Sequence, residues 1–432
     1  MKRTAAKVPA SPRVPAIESL LWWSLAAAVT AIPLIITTGE DVYRLPKLLL
    51  LQAAGIVIFA ACAIQTLLLP GRGILKRLAH HRIPVALTVA AVLWTAIATA
   101  ASTQKTLSLA TLTWTASCAA FFLAALALGE GRGVFAAAIP LIAAAINAIM
   151  AVLQRLQIWN PFRFQEHMPL RARITALLGN PNDVGGYLLL PLLAALVLAV
   201  VHRGRARLIY AVAAAVLAAG LLATATLTAL IAFAAAVGVL LFCTSRRMAV
   251  ATALAAAAVL VILLLFENPV RARLAAVAQQ VRTGNLQEAS SLRLQSFTAA
   301  WLMIRDHPIT GVGPGCFGYW YLPYSVLTYG DHPEFIRFAG NFRDVHNDHL
   351  QFLATAGLPA YALFLAALWQ MARRGWGRAG DDARARFARL FALPGATGIA
   401  VLALGHFPFE LASTAAVFLY FAALVCAWRP AP

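Results

Sequence analysis

The stretch LLLLQAAGIVIFAACAIQTLLL, residues 48–69, decides the fold. It carries no charged side chain, and as a helix rising 1.5 Å per residue it covers about 33 Å, enough to cross a hydrocarbon core of roughly 30 Å. Runs of the same kind recur at 20–38, 84–102, 107–129, 134–156, 184–201 and 208–224, and again at 227–243, 249–266, 358–371, 390–407 and 412–428. Together they predict about twelve spans, with one turn, near ATATLTAL at 223–230, unmarked by charge. The Ala/Leu-rich runs show none of the short alternation of a membrane barrel, so the expected class is an all-α, polytopic membrane protein.

Composition agrees. Of 432 residues 61% are hydrophobic and only 12% charged, and the mean hydropathy is +0.78, which excludes an ordinary soluble domain. The net charge of +19 invites a nucleic-acid reading. The basic residues, however, fall in short loops: Arg72, Lys76, Arg77 and Arg82; Arg203, Arg205 and Arg207; Arg246 and Arg247; Arg373, Arg374, Arg378, Arg384, Arg386 and Arg389. That distribution sets topology, leaves no continuous patch for nucleic acid, and places these loops in the cytoplasm. The N-terminal Lys2, Arg3, Lys7 and Arg13 precede an uncleaved first helix, and an even number of spans puts both termini on that side. Cys62, Cys118, Cys243 and Cys426 lie in apolar runs and only Cys316 in a large polar segment, so no disulfide framework is implied.

The chain divides into residues 1–266, with nine spans and a short outward segment near 157–183; residues 267–357, one large outward loop; and residues 358–432, with three spans. A loop this long and this rich in Trp, Tyr, Phe and Gly should fold, as a mainly helical cap. Within it SSLRLQSFTAAWLMIRDHP, 290–308, reads as a helix with Leu294, Phe297, Trp301 and Ile304 at helical spacing, a start capped by Ser290 or Ser291 and an end at Pro308. The glycines of ITGVGPGCFGYWYLPY, 309–324, force tight turns, and its aromatics suit either a membrane boundary or a sugar ring.

Chemistry concentrates in DVHNDHLQFLATAGLPAY, 344–361. With Asp344 as a cap, His346 falls in the first turn of a helix running into the next span, at an end whose dipole favours anions and a neutral imidazole able to take a proton. His349 reads as an interfacial hydrogen-bonding residue. In RARITALLGNPNDVGGYL, 171–188, Arg171 and Arg173 precede a span; Arg293 and Arg155 add further outward guanidinium groups. Such groups match phosphate oxygens and point to a diphosphate-linked substrate, the alternative being pairing with Glu166, Asp183, Glu288 or Asp344. His346 and His349 have no third ligand beside them, and Gly311, Gly313 and Gly315 precede no Lys-Ser or Lys-Thr, so neither metal nor other cofactor is expected.

HNDHLQFLATAG resembles the signature of the O-antigen ligase and polymerase superfamily, a His-Asn pair followed by nine residues and a glycine, here His346, Asn347 and Gly357. The ligase pattern continues with Gly, Thr or Tyr three positions on, where this chain has Ala360 with Tyr361 beside it. RITALLGNPND and RLQSFTAAWLMIRDHPITGVGPGCF resemble two further segments of that family. The resemblance implies a membrane glycosyltransferase of the bacterial inner membrane, surrounded by membrane lipids. It would move a glycan from undecaprenyl diphosphate to lipid A-core at the periplasmic face. His346 would be catalytic and Arg173 and Arg293 would hold the diphosphate, with Arg171, Arg155, Asn347 and Asn180 also binding substrate. A glycan polymerase or protein O-oligosaccharyltransferase of the same superfamily is the alternative. A lipid-linked anion transporter fits less well, because the ionisable residues collect at span ends and not at mid-span.

Overall fold

The computed structural model describes residues 13–37, 41–69, 73–162, 167–244, 250, 267–338, 340–376 and 382–428. Among them the protein is all-α: α1 Arg13–Ala31, α2 Arg44–Leu68, α3 Arg82–Ala101, α4 Lys105–Gly129, α5 Pro140–Arg155, α6 Pro181–Val201, α7 Gly204–Thr224 and α8 Leu227–Cys243. These are followed by α9 Pro269–Arg282, α10 Leu286–Ala289, α11 Arg293–Asp306, α12 Phe317–Thr328, α13 Asp348–Ala372, α14 Ala383–Ala403 and α15 Ala412–Ala427. Among the described residues eight helices are long and apolar enough to cross a membrane, and three shorter apolar ones, ending at Ala31, Cys243 and Ala427, join them. The span expected at 249–266 lies outside the described residues but for residue 250, as do Lys2, Arg3, Lys7, Arg72, Arg246, Arg247, Arg378 and Glu166.

α6 is the hub. Its most apolar window is 83% buried against 22% for α3, so α6 lies among other helices while α3 turns most of its surface to lipid. Asn180 caps it, the side-chain oxygen accepting from the backbone N–H groups of Asn182 at 2.7 Å and Asp183 at 3.3 Å, with Pro181 at the first helical position. α15 is buried at every position but Leu419 and is pinned at its far end by Trp428 Nε1 donating to Gly129 O at 3.2 Å. The uncharged turn at 223–230 is real: Ala225, at φ +48°, separates α7 from α8.

Between residues 267 and 347 helices α11 and α12, with the segments at Val312, Cys316 and Val345, build a second, smaller core of Ala299, Ala300, Met303, Val312, Cys316, Phe317, Tyr321, Tyr324 and Val345, closed by Ala354 of α13. α11 starts as expected, Ser290 Oγ accepting from Arg293 N and Leu294 N, but its buried face differs. Gln295, Ser296, Ala299, Ala300 and Met303 face the core, whereas Leu294, Phe297 and Ile304 are half-buried and Trp301 is exposed. Small residues lie inward because α11 packs closely on α12 and α13, with Phe297, Leu302 and Ile304 packed at the margin of the same core.

α13 departs from expectation at both ends of the signature. The helix begins at Asp348, capped by Asn347, whose side chain accepts from Leu350 N at 3.1 Å. Asp344 is no cap, and His346 precedes the helix in the left-handed region at φ +63°. Further on, Gly357 interrupts the helix with φ +78° and ψ −177°. The segment 308–313 crosses the break: Leu358 N donates to Pro308 O, and Val312 N and Gly313 N donate to Ala354 O and Thr355 O, at 2.9, 2.9 and 3.0 Å. Trp94 Nε1 takes Ala356 O at 2.8 Å. Every carbonyl freed by the break at 354–356 is thereby satisfied, as a buried backbone requires. A Cβ on Gly357 would lie 1.8 Å from Ile309 O.

Candidate active site

The site forms where one end of the bundle meets the smaller core. Its centre is His346. Nδ1 lies 2.9 Å from the backbone carbonyl of Asp344, which can only accept, so Nδ1 carries the proton and Nε2 presents its lone pair. The ring is held edge-on between Phe407 and Phe342, centroids 4.7 and 6.0 Å away. Burial lowers its pKa below the usual imidazole value; the bond to Asp344 opposes this, and the charge of Arg293 reinforces it. The neutrality read from a helix dipole is thus produced mainly by desolvation, because His346 lies outside the helix.

The rest of the polar cluster holds a loop. Asn347 Nδ2 donates to Leu404 O at 3.0 Å, and Asp348 accepts from Phe409 N at 3.0 Å. These two bonds lash the 404–410 connection, between α14 and α15, across the face of His346. Asn347 therefore uses its oxygen as a cap and its amide as a tie, and Asn180 uses its oxygen as a cap, so both expected substrate contacts carry structural bonds. His349 is structural too: Nε2 donates to Ala400 O at 2.9 Å, and Nδ1 accepts from Tyr361 OH at 3.1 Å.

Arginines gather on one side of that loop. Arg293, at the start of α11, donates to Gly405 O and feels the charges of Arg171 and Arg273. Burial, with those like charges, pushes its guanidinium down to about 10. Arg171 donates to Asn182 Oδ1 at 2.7 Å, and Arg273 to Ser291 Oγ at 2.7 Å. Among the described residues none of the three has an acid partner. Of the acids weighed against them, Asp344 pairs with Arg44 at 3.2 Å, Glu288 accepts from Gln280 at 3.4 Å, Asp183 has His406 at 3.7 Å, and Glu166 lies outside the described residues. Buried positive charge without a counter-ion is costly and marks a place for an anion.

Arg173 sits in the turn at Leu170–Arg173 with Nε on Met168 O at 2.6 Å, and Arg155 closes α5 half-buried; neither is among the charges acting on Arg293. Four participants escaped the sequence reading. Arg273 and Arg44 lie in helices that carried no motif, Arg44 also resting over the Phe407 ring at 5.1 Å. His406 and Glu410 belong to a connection only eight residues long, and their sole signal was a polar residue in an outward turn.

Backbone strain marks the same region. Ser291, Leu292 and His346 have positive φ, Leu292 directly before Arg293 and His346 at the centre of the site, as expected where packing over-determines a local geometry.

Residues 212–365 match the family model described as O-antigen ligase, a segment that holds Arg273, Arg293, His346, Asn347 and the break at Gly357. No curated protein matches the chain. The signature, the all-helical polytopic fold and this match, which spans residues 212–365 of the 432, together support a likeness to the O-antigen ligase superfamily.

Proposed function

We propose that the protein is an O-antigen ligase, transferring a glycan from undecaprenyl diphosphate to lipid A-core at the periplasmic face of the bacterial inner membrane. The observation that carries this reading is the juxtaposition of a neutral histidine, its Nε2 open, with three arginines that no described acid neutralises. His346 Nε2 takes the proton from an acceptor hydroxyl, whose oxygen forms the new bond to the anomeric carbon. The bond from that carbon to the diphosphate breaks, and the carrier lipid leaves with both electrons, its charge received by Arg293, Arg171 and Arg273. Arg173 and Arg155 stand further along the donor's path. A single displacement inverts the anomeric centre, and no metal is required for a leaving group stabilised this way.

The test is transfer by purified protein in detergent, with a lipid-diphosphate glycan, lipid A-core and a chelator. Glycan on lipid A-core is the expected product, with inverted linkage by NMR. Glycan lengthened on its carrier would assign a polymerase, and the absence of any covalent product from folded protein would reject glycosyl transfer.

A further inference from the structure

Glu410, at the end of the 404–410 connection, lines a cavity of about 410 Å³ that none of Arg171, Arg273 and Arg293 borders. Its walls differ in kind from the arginine cluster: Arg44, Lys47 and Arg343 face it together with Asp183, Asp344 and Glu410. Balanced charge of both signs does not select a naked diphosphate. It suits a ring carrying many hydroxyls, which can donate to carboxylates and accept from cations. Ser413 Oγ, Thr414 Oγ1 and Asp183 Oδ1 line the same cavity, are buried, and have no hydrogen-bond partner among the described residues. Trp114 offers an aromatic face.

The cavity continues into a second space of about 290 Å³, with Thr111, Trp114 and Glu410 belonging to both. This second space is an apolar slot between α3, α4, α13 and α15. It runs from Gly315 and Glu410 at the site end to Met371 and Cys426 at the opposite end of the helices. A polar chamber opening into an apolar slot along the bundle has the shape of an amphiphile.

We propose that chamber and slot form one seat for the acceptor, a sugar-headed, acyl-chained lipid, with Glu410 at the seam accepting a hydrogen bond from a hydroxyl of its head group. This rests on the glycosyl-transfer reading. The donor's diphosphate is assigned to Arg293 and Arg171, neither of which lines the chamber or the slot. Glu410 has no hydrogen bond or ion pair to its carboxylate among the described residues. Burial raises its pKa to about 7, the charge of Asp344 adding to this while Arg343 and Arg44 oppose it. Because lipid tails are as apolar as the slot, the slot supplies register more than affinity.

The experiment is native mass spectrometry of the full chain from nanodiscs, loaded separately with lipid A-core and with a diphosphate polyprenol. Wild type, Glu410→Ala, and two slot-filling variants from opposite walls, Ala91→Trp and Ala367→Trp, are compared, each checked by thermal melting; both alanines border the slot and neither lies in the core. The expected result is about tenfold weaker retention of lipid A-core in Glu410→Ala, a smaller loss in at least one folded slot variant, and unchanged retention of the polyprenol. Loss of the polyprenol instead, or no change for either lipid, overturns the proposal. Binding is read without turnover, so a protein that holds lipid A-core here yet transfers nothing would reject the ligase reading and leave the seat standing.

Discussion

The two ends of the His-Asn-x9-Gly signature do opposite work. At residues 344–350 the Asp344 carbonyl, Asn347 and Asp348 make the bonds that hold the turn and the 404–410 connection, and Nε2 of His346 remains open. At Gly357 every donor and acceptor is closed, the interrupted helix trading its own hydrogen bonds for those of segment 308–313 and Trp94. A single sequence pattern thus marks one residue of chemistry and two of construction. Spacing alone cannot say which is which; the bonding does.

The contrast breaks most sharply at His346. His346→Ala should reduce transfer by about 10²–10⁴-fold, the usual range for a lost general base, with the melting temperature of the detergent-solubilised protein unchanged. A parallel fall in melting temperature would make His346 structural like its neighbours. Gly357→Ala should do the reverse. Its Cβ would meet the Ile309 carbonyl in a conformation open to glycine alone, so a loss on the order of 3 kcal/mol or more is expected, read as a lower melting temperature and poor yield.

Arg293→Lys tests whether planar guanidinium contact matters beyond charge: a loss of roughly 10–100-fold in kcat/KM, or about 1.4–2.7 kcal/mol, is expected with the fold intact. Asn347→Ala should be milder, about 1–2 kcal/mol of stability for a lost cap and tie, with activity reduced because the 404–410 connection loosens over His346.

The smallest effect is on pH. His346 has a folded pKa below its ordinary value of 6.5, and buried His406, beside the charges of Arg293, His346 and Arg44, lies well below it. Since the folded values are depressed, the stabilisation from keeping these rings neutral is complete above about pH 6.5 and is lost as pH falls through the folded values. kcat/KM should fall on the same acid limb, because protonated His346 cannot act as a base. A limb centred above pH 6.5 would contradict the burial of the ring.

Much of this architecture was legible in residues 48–69 and their like, because crossing a bilayer demands length and apolarity that few other structures share. His346, Arg171 and Arg293 were legible for a different reason: charge at the edge of an apolar run is expensive and so conspicuous. What the sequence hid were choices made by packing. Asn347 and not Asp344 caps α13 because the chain must turn at His346 to bring its ring under Phe407. The buried face of α11 follows Gln295, Ala299 and Met303 because close approach to α13 rewards small side chains over the larger Leu294 and Trp301. Arg44, Arg273 and Glu410 lie about 300, 70 and 60 residues from His346, too far apart for any local pattern to join them.

The acceptor that fixes the His346 tautomer is the main-chain carbonyl of residue 344 and not its carboxylate, which is turned to Arg44. Every amino acid supplies that carbonyl. Variants at position 344 would therefore keep the tautomer of the ring while losing the Arg44 pair and the carboxylate charge that holds the His346 pKa up. That tautomer is inherited through chain geometry, and what can erase it is a change that releases the left-handed turn at residue 346.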